Sequence, residues 1–142
     1  MTELSWPVAA THMLLMVGVG MSLEVVFTAL MDLPKAKDLR LLGYTYIWMV
    51  PIYCTLYPGL FLLYPHAAKL SIPLRGALYV AVIYAVEYST GWLLRKATGR
   101  CPWDYTGAKW AVHGLIRLDF APAWLGAALL YEWVYRVLRG LA

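Results

Sequence analysis

The fold is decided by the stretch EYSTGWLLRKATGRCPWDY, residues 87–105. It begins with Glu87 inside an apolar run and ends in a polar turn that contains Trp103. Placing a charged side chain at the centre of a bilayer costs roughly 2.5–3.5 kcal/mol on insertion scales. A carboxylate kept in such a segment, next to a specific turn, therefore indicates a structural or chemical role for that side chain.

The whole chain has the composition of a polytopic membrane protein. Of its 142 residues, 62% are hydrophobic and 14% are charged, whereas soluble domains have about 45–50% apolar and about 25% charged residues. The mean hydropathy is +0.62. We therefore expect one membrane domain over residues 1–142, with the lipid bilayer as its partner and no nucleic acid. Cys54 and Cys101 are too few for a disulfide framework, and we do not expect them to pair.

Hydropathy predicts an all-α fold, a bundle of four transmembrane helices. A span needs roughly 20 apolar residues to cross a hydrocarbon core of about 30 Å. The predicted spans cover residues 8–31, 41–64, 73–94 and 118–137. Pro51 and Pro58 predict a kink in the second span, because each proline removes a helical hydrogen bond.

A long connector joins the third and fourth predicted spans. Residues 95–117 place Trp103, Tyr105 and Trp110 among charged residues and glycines. This mixture is typical of a structured amphipathic connector at the membrane surface, and we expect a short helix over about residues 107–116.

The basic residues predict an orientation. The first loop and the long connector carry eight Lys and Arg residues, against four in the second loop and the C-terminal segment. The positive-inside rule then places both termini on the non-cytoplasmic side. We expect an integral protein of the plasma (inner) membrane.

Two glutamates lie at similar predicted depth on the connector side of the membrane. Glu24 precedes Asp32, and Glu87 precedes Arg95, by the same number of residues, which places each carboxylate roughly 12 Å from the helix end. Asp119 begins the fourth span on that side. The candidate ligand or ion site therefore consists of residues on three predicted spans: Glu24, Thr28, Glu87, Thr90 and Asp119.

The sequence leaves the chemistry of this acidic site open. The carboxylates either hydrogen-bond to Thr, Tyr or Trp donors in a structural network, or bind a ligand, an ion or a proton. Close carboxylates cannot both ionise cheaply in a low dielectric, and together with Asp119 they could hold a divalent cation. No zinc, P-loop or hydrolase motif is present, so no cofactor or metal is assigned. Glu132 is expected to pair with Arg136 one turn later.

The connector is predicted to act as a lid over the acidic site. Asp104 is expected to accept backbone N–H groups in the turn, or to pair with Arg95 or Arg100. The two Arg residues could also attract anionic lipid headgroups, and Trp103 and Tyr105 are expected at the membrane interface. The predicted lid residues are Arg95, Arg100, Trp103, Asp104 and Tyr105.

Residues 87–106, together with GLIRLDFAPAWLGAALLYEW at residues 114–133, resemble the transmembrane protein 229 family. The bacterial relatives of that family are described as Putative ABC-transporter type IV, a permease-like family. The resemblance implies a four-helix membrane protein. The family's motif positions fall on Glu24, Glu87, Thr90, Gly91, Trp103, Asp104, Tyr105, Gly114, Trp124 and Glu132.

Three functional hypotheses remain. The first is a small transport or lipid-handling protein with a membrane-embedded acidic site. The second is a structural accessory subunit of a larger membrane complex. The third is a membrane-embedded enzyme acting on a lipid or isoprenoid. The chain has no nucleotide-binding motif, so a role in ABC transport would require oligomers and a separate ATPase. The expected protein partner is either a second copy, in a homo-oligomer, or a larger membrane complex.

Overall fold

The chain folds predominantly into helices, as the sequence predicts. The computed structural model describes residues 5–37 and 39–141. Within these residues the helices are α1 (Trp6–Ala36), α2 (Met49–Cys54), α3 (Leu56–Ala67), α4 (Ile72–Thr98) and α5 (Ala121–Leu138).

Two of the described helices are long and apolar enough to cross a membrane. They are α1, over Trp6–Pro34, and α4, over Ile72–Thr98. Helix α5, of 18 residues, lies where the fourth span was predicted. The bundle of four spans stays a prediction.

The second predicted span differs from the structure. Residues 41–48 form no α-helix, and α2 and α3 are separate helices divided by Thr55. Pro51 and Pro58 each occupy the first turn of one of these helices, where the backbone N–H groups have no intrahelical acceptor in any case. The helical path of the predicted span is interrupted at Thr55, between the two prolines. The expectation of helix over residues 41–48 was wrong, and a kinked span at the prolines stays a prediction.

Helix α4 begins and ends where its sequence signals indicate. Ser71 is the N-cap, and Pro73 follows in the first turn, where its fixed φ suits a helix. Gly99 ends the helix in the left-handed conformation, with φ 79°, and its N–H group donates to the Arg95 carbonyl at 3.0 Å.

The connector after α4 forms a β-hairpin, so the predicted helix over residues 107–116 was wrong. Strand β1 (Ala111–Val112) pairs antiparallel with β2 (Ile116–Arg117). His113 and Gly114 have φ of 52° and 71°, which breaks a right-handed helix and reverses the chain. A 3-10 turn at Leu118–Phe120 then leads into α5.

The chain divides into two compact units. The first unit contains the described residues up to Leu62 and those from Val134 onward, and its core includes Met16, Ala29, Tyr57, Leu60 and Tyr135. The second unit is Leu63–Trp133, and its core includes Tyr79, Trp103, Leu115, Phe120 and Tyr131.

Candidate functional site

Glu87 is half-buried in the second unit, and one of its two carboxylate oxygens has a hydrogen bond. The Tyr105 hydroxyl donates to Glu87 Oε1 at 3.1 Å. Glu87 Oε2 is buried and has no hydrogen-bond partner among the described residues. Such an atom is unusual, because more than about 90% of buried polar groups in proteins are hydrogen-bonded.

The connector holds Tyr105 in place on Glu87. The Tyr105 N–H group donates to the Gly114 carbonyl at 3.0 Å, which ties the turn before the hairpin to the hairpin itself. The Tyr105 ring also packs edge-on against Phe120, with ring centres 5.7 Å apart. The phenol is therefore fixed by backbone and ring contacts that do not depend on Glu87.

The hairpin lies along the C-terminal half of α4. The Tyr84 hydroxyl is 3.0 Å from the carbonyl oxygens of Arg117 and Leu118. The Arg95 guanidinium donates through Nη1 to the His113 carbonyl at 3.1 Å. These contacts extend over about 16 Å of helix at 1.5 Å per residue. The connector thus runs back beside α4, and Glu87 lies within the stretch that it covers.

Trp103 and Gly91 form the closest contact between the connector and α4. Trp103 is 9% exposed, and its Nε1–H donates to the Leu115 carbonyl at 2.9 Å. A Cβ added at Gly91 would lie 3.1 Å from both Trp103 Cζ2 and Leu115 Cδ2. The absent side chain at Gly91, one of the family's motif positions, lets the connector approach the helix. Trp103 packs inside the second unit, and its expected place at the membrane interface stays a prediction.

Asp104 in the connector and Asp119 just after it each have a partner of their own. Asp104 accepts a hydrogen bond from the Thr106 N–H group at 2.9 Å, and the Thr106 hydrogen bonds lower the pKa of Asp104. Of the partners expected for Asp104, the structure shows the backbone N–H group in the turn. Asp119 forms an ion pair with Arg117, which lowers the pKa of the Asp119 carboxyl.

The remaining residues predicted around Glu87 contribute less. Thr90 donates its hydroxyl hydrogen bond within α4, to the Val86 carbonyl at 2.6 Å. Arg100 is exposed at the start of the connector. Neither side chain has a described contact with the Glu87 carboxylate.

Glu24 has a hydrogen-bond network in the first unit. The Thr45 hydroxyl and the Tyr53 hydroxyl donate to Glu24 Oε2 at 2.6 Å and 3.1 Å. Thr28 accepts a hydrogen bond from the Tyr44 N–H group at 2.9 Å. The sequence left open whether the carboxylates belong to a structural hydrogen-bond network or to a binding site. These contacts of Glu24 are of the first kind. A site shared by Glu24 and Glu87 stays a prediction.

A buried ion pair at the other end of α4 was missed by the sequence reasoning. Glu132 is 4% exposed and pairs with Arg75, whose Nε lies 3.1 Å from Glu132 Oε2. The expected partner was Arg136, chosen for its position one turn along the same helix. The presence of Arg75 in the apolar sequence of α4 was the available signal.

Within the part of the chain that the structure describes, no three His, Cys, Asp or Glu side chains come together as metal ligands. Both cysteines are free thiols, as expected. Burial raises the pKa of the Cys101 thiol. At Glu87 itself, the hydrogen-bonded pair that the structure describes is one carboxylate and one phenol, Tyr105.

Comparison with known proteins identifies the bacterial family suggested by the sequence motifs. The model of the family described as Putative ABC-transporter type IV matches residues 12–141. No solved structure matches the chain. The family match covers α4, the connector and α5, the segments that build the surroundings of Glu87.

Proposed function

Because the chain belongs to the Putative ABC-transporter type IV family, we propose that it is a membrane transport protein whose Glu87 carboxylate binds and releases a proton. The observation that carries the proposal is the buried Glu87 Oε2 atom, which lacks a partner among the described residues. Ionisable residues inside membrane-spanning segments are commonly sites of ion or proton transport. Two candidate spans and the family support a place in the membrane.

The hydrogen bonding of Glu87 suits proton exchange. With Glu87 ionised, Oε2 is a buried anionic oxygen without a donor, which is costly. With Glu87 protonated at Oε2, the new hydroxyl lacks an acceptor. Each form thus leaves one hydrogen bond unmade, and the site holds neither protonation state as firmly as a fully satisfied network would.

A proton fits the site better than a divalent cation. Calcium takes 6–8 oxygen ligands, and magnesium takes a near-octahedral set. The described hydrogen-bond partner of Glu87 is one phenol, Tyr105. A proton needs a single oxygen, which Glu87 Oε2 provides.

The connector gives the proposed site a means of control. Tyr105 belongs to the connector and donates to Glu87, so a movement of the connector away from α4 would break this bond and admit water. With the orientation expected from the basic residues, this end of α4 faces the cytoplasm. Since the sequence has no nucleotide-binding motif, transport driven by ATP would take place in a complex with a separate ATPase.

Infrared difference spectroscopy tests the proton site directly. Purified protein in lipid is titrated with acid, and the carbonyl band of a protonated carboxylic acid is recorded. Glu87→Gln should remove one such band, whereas Tyr105→Phe should shift its midpoint and frequency, because the hydrogen bond to Oε1 is lost. The matched control is Glu24→Gln, a change to the glutamate whose Oε2 already accepts two hydrogen bonds. Identical bands in the wild-type and Glu87→Gln proteins would refute proton binding at Glu87.

Proton flux tests the transport role. The protein is reconstituted into liposomes that enclose a pH-sensitive dye, and a potassium diffusion potential drives protons inward. Glu87→Gln should reduce the flux to that of protein-free liposomes, while Glu24→Gln should retain it if properly folded. Wild-type liposomes that conduct no better than empty ones would exclude autonomous proton transport and favour an accessory role in a larger complex.

A further inference from the structure

Glu132 is a buried carboxylate of the second unit, at the end of α4 away from the connector. It belongs to α5 and is 4% exposed. Its Oε2 atom lies 3.1 Å from Nε of Arg75, a residue in the first turn of α4. The Arg75 side chain is 16% exposed, so the pair extends from the interior to the surface. The proton site proposed at Glu87 makes no use of this pair.

The cluster of Arg75, Tyr79 and Glu132 is incompletely hydrogen-bonded. Tyr79, one helical turn after Arg75, is 4% exposed, and its hydroxyl interacts with the Glu132 carboxylate. Arg75 Nε, the Tyr79 hydroxyl and Glu132 Oε2 are all buried without a hydrogen bond of normal geometry in the described part of the chain. A buried ion pair that lacks its hydrogen bonds is often no more stable than apolar packing. This cluster therefore indicates a use beyond packing.

The groups of this cluster can hold and pass a proton. A carboxylate can take up a proton on either oxygen, and a phenol can accept one while it releases its own. An arginine keeps its charge throughout. The titratable groups that act on Tyr79 are Glu132, Arg75 and Tyr64. Glu132 is the carboxylate among them, and it is therefore the group that can store a proton.

Tyr79 and Glu87 lie on one side of α4. They are eight residues apart, which corresponds to about 12 Å along the helix and about 80° around it. Helix α4 is long and apolar enough to cross a membrane. A membrane-spanning α4 therefore places the Glu132 cluster nearer one side of the bilayer and Glu87 nearer the other.

We propose that Glu132 is a second proton-binding carboxylate, which exchanges protons with the membrane side opposite to Glu87. As a part of proton transport, this inference rests on the function proposed for Glu87. A proton that binds Glu132 converts the carboxylate to a carboxylic acid, and the same proton later leaves to Tyr79 or to water. The Tyr79 hydroxyl accepts one proton and releases another, so it is not consumed. Water molecules between Tyr79 and Glu87 carry the proton over the remaining distance.

Infrared spectroscopy tests proton binding at Glu132 independently of Glu87. The full chain with Glu87→Gln is reconstituted in lipid, and the pH is lowered from about 9 to about 4, near the ordinary glutamate value. Arg75→Met/Glu132→Met, which removes both charges together, should remove one carbonyl band of a carboxylic acid. Tyr79→Phe should shift the frequency of that band, because the neighbouring hydroxyl is lost.

Tyr57→Phe is the matched control for Tyr79→Phe. Tyr57 is a buried tyrosine of the first unit, 6% exposed, and the change again removes one hydroxyl group. The control should leave the Glu132 band where it is in the parent protein. If the double variant removes no band, or if Tyr57→Phe shifts the band as much as Tyr79→Phe, the proposal is overturned.

Proton flux into liposomes tests the connection between the two carboxylates, now with Glu87 present. Tyr79→Phe and the double variant should each lower the flux about tenfold or more and keep the infrared band of Glu87, whereas Tyr57→Phe should retain both. Wild-type flux in Tyr79→Phe and in the double variant overturns the role in transport, even with Glu87 active. If wild-type protein conducts no protons, the function proposed for Glu87 fails, and the infrared titration alone decides whether Glu132 binds a proton.

Discussion

Replacement of Gly91 by alanine tests whether the connector is docked on α4 as the structure describes. The new Cβ would meet Trp103 Cζ2 and Leu115 Cδ2 at 3.1 Å and Cys101 Sγ at 3.2 Å. All three contacts are tighter than ordinary van der Waals contact, and overpacking of this kind costs about 1–3 kcal/mol. Replacing a glycine by alanine inside a helix otherwise stabilises the folded state by roughly 0.5–1 kcal/mol. We expect a net loss of about 1 kcal/mol in the free energy of unfolding.

Gly126 provides the matched control. It lies in α5 of the same unit, and a Cβ there would meet nothing within 4 Å. Gly126→Ala should therefore stabilise the protein by roughly 0.5–1 kcal/mol. The two variants make the same chemical change, so the difference between them, about 2 kcal/mol, measures the contact with the connector alone.

Two measurements follow the effect of Gly91→Ala. Unfolding in mixed micelles of mild detergent and dodecyl sulfate gives the free energies. The alkylation rate of Cys101 at neutral pH, in a Cys54→Ser background, reports on the connector, because the burial that raises the pKa of this thiol also slows its reaction. Gly91→Ala should speed alkylation. Equal stability and equal alkylation in the two alanine variants would refute the described docking.

Three further changes test other contacts. Arg75→Met should lower the free energy of unfolding by about 3–5 kcal/mol, because Glu132 is left buried and unpaired; Arg75→Met/Glu132→Met should recover most of the loss, and a double variant as unstable as the single one would contradict the pairing. Thr28→Val should cost about 0.5–1.5 kcal/mol in the same titration, since the exposed Tyr44 N–H group loses its acceptor; wild-type stability would show that the bond contributes nothing. The lowered pKa of Asp104 stabilises the folded state above the ordinary carboxyl value of 3.8; Asp104→Ala should therefore be less stable than wild type at neutral pH, and the two stability curves should converge as the pH falls below 3.8. Parallel curves would exclude this source of pH dependence.

The long helices could be predicted from local sequence because their determinants are local. Helix α4 combines an apolar run with Pro73 in its first turn and Gly99 at its C-terminal cap. Each signal acts through the backbone of its own segment. The family resemblance added the motif positions, among them Gly91, whose contacts explain why a side chain is absent there.

The connector could not be predicted because tertiary contacts determine its form. The alternation of aromatic, charged and small residues in residues 107–116 is compatible with an amphipathic helix. In the folded chain, His113 and Gly114 adopt left-handed backbone conformations, and the Tyr84 hydroxyl and Arg95 guanidinium bind carbonyl groups that a helix would use internally. These partners lie on a different element, α4, and the periodicity of the connector sequence contains no information about contacts with it. The Arg75–Glu132 pair was missed for the same reason, since the local rule favoured a partner within α5.

The two glutamates show most directly why a site needs more than depth along a helix. From sequence, Glu24 and Glu87 are equivalent: each lies in an apolar helix at the same distance from a charged residue at its end. In the structure, Glu24 Oε2 receives two hydroxyl groups, from Thr45 and Tyr53, whereas Glu87 receives one hydroxyl on Oε1 and none on Oε2. The difference lies in the segments that pack over the two glutamates. Thr45 and Tyr53 supply two hydroxyl donors to Glu24, whereas the connector supplies one phenol, Tyr105, to Glu87. Incomplete hydrogen bonding, rather than the presence of a carboxylate, is therefore the property that makes Glu87 the candidate for proton exchange and Glu24 its control.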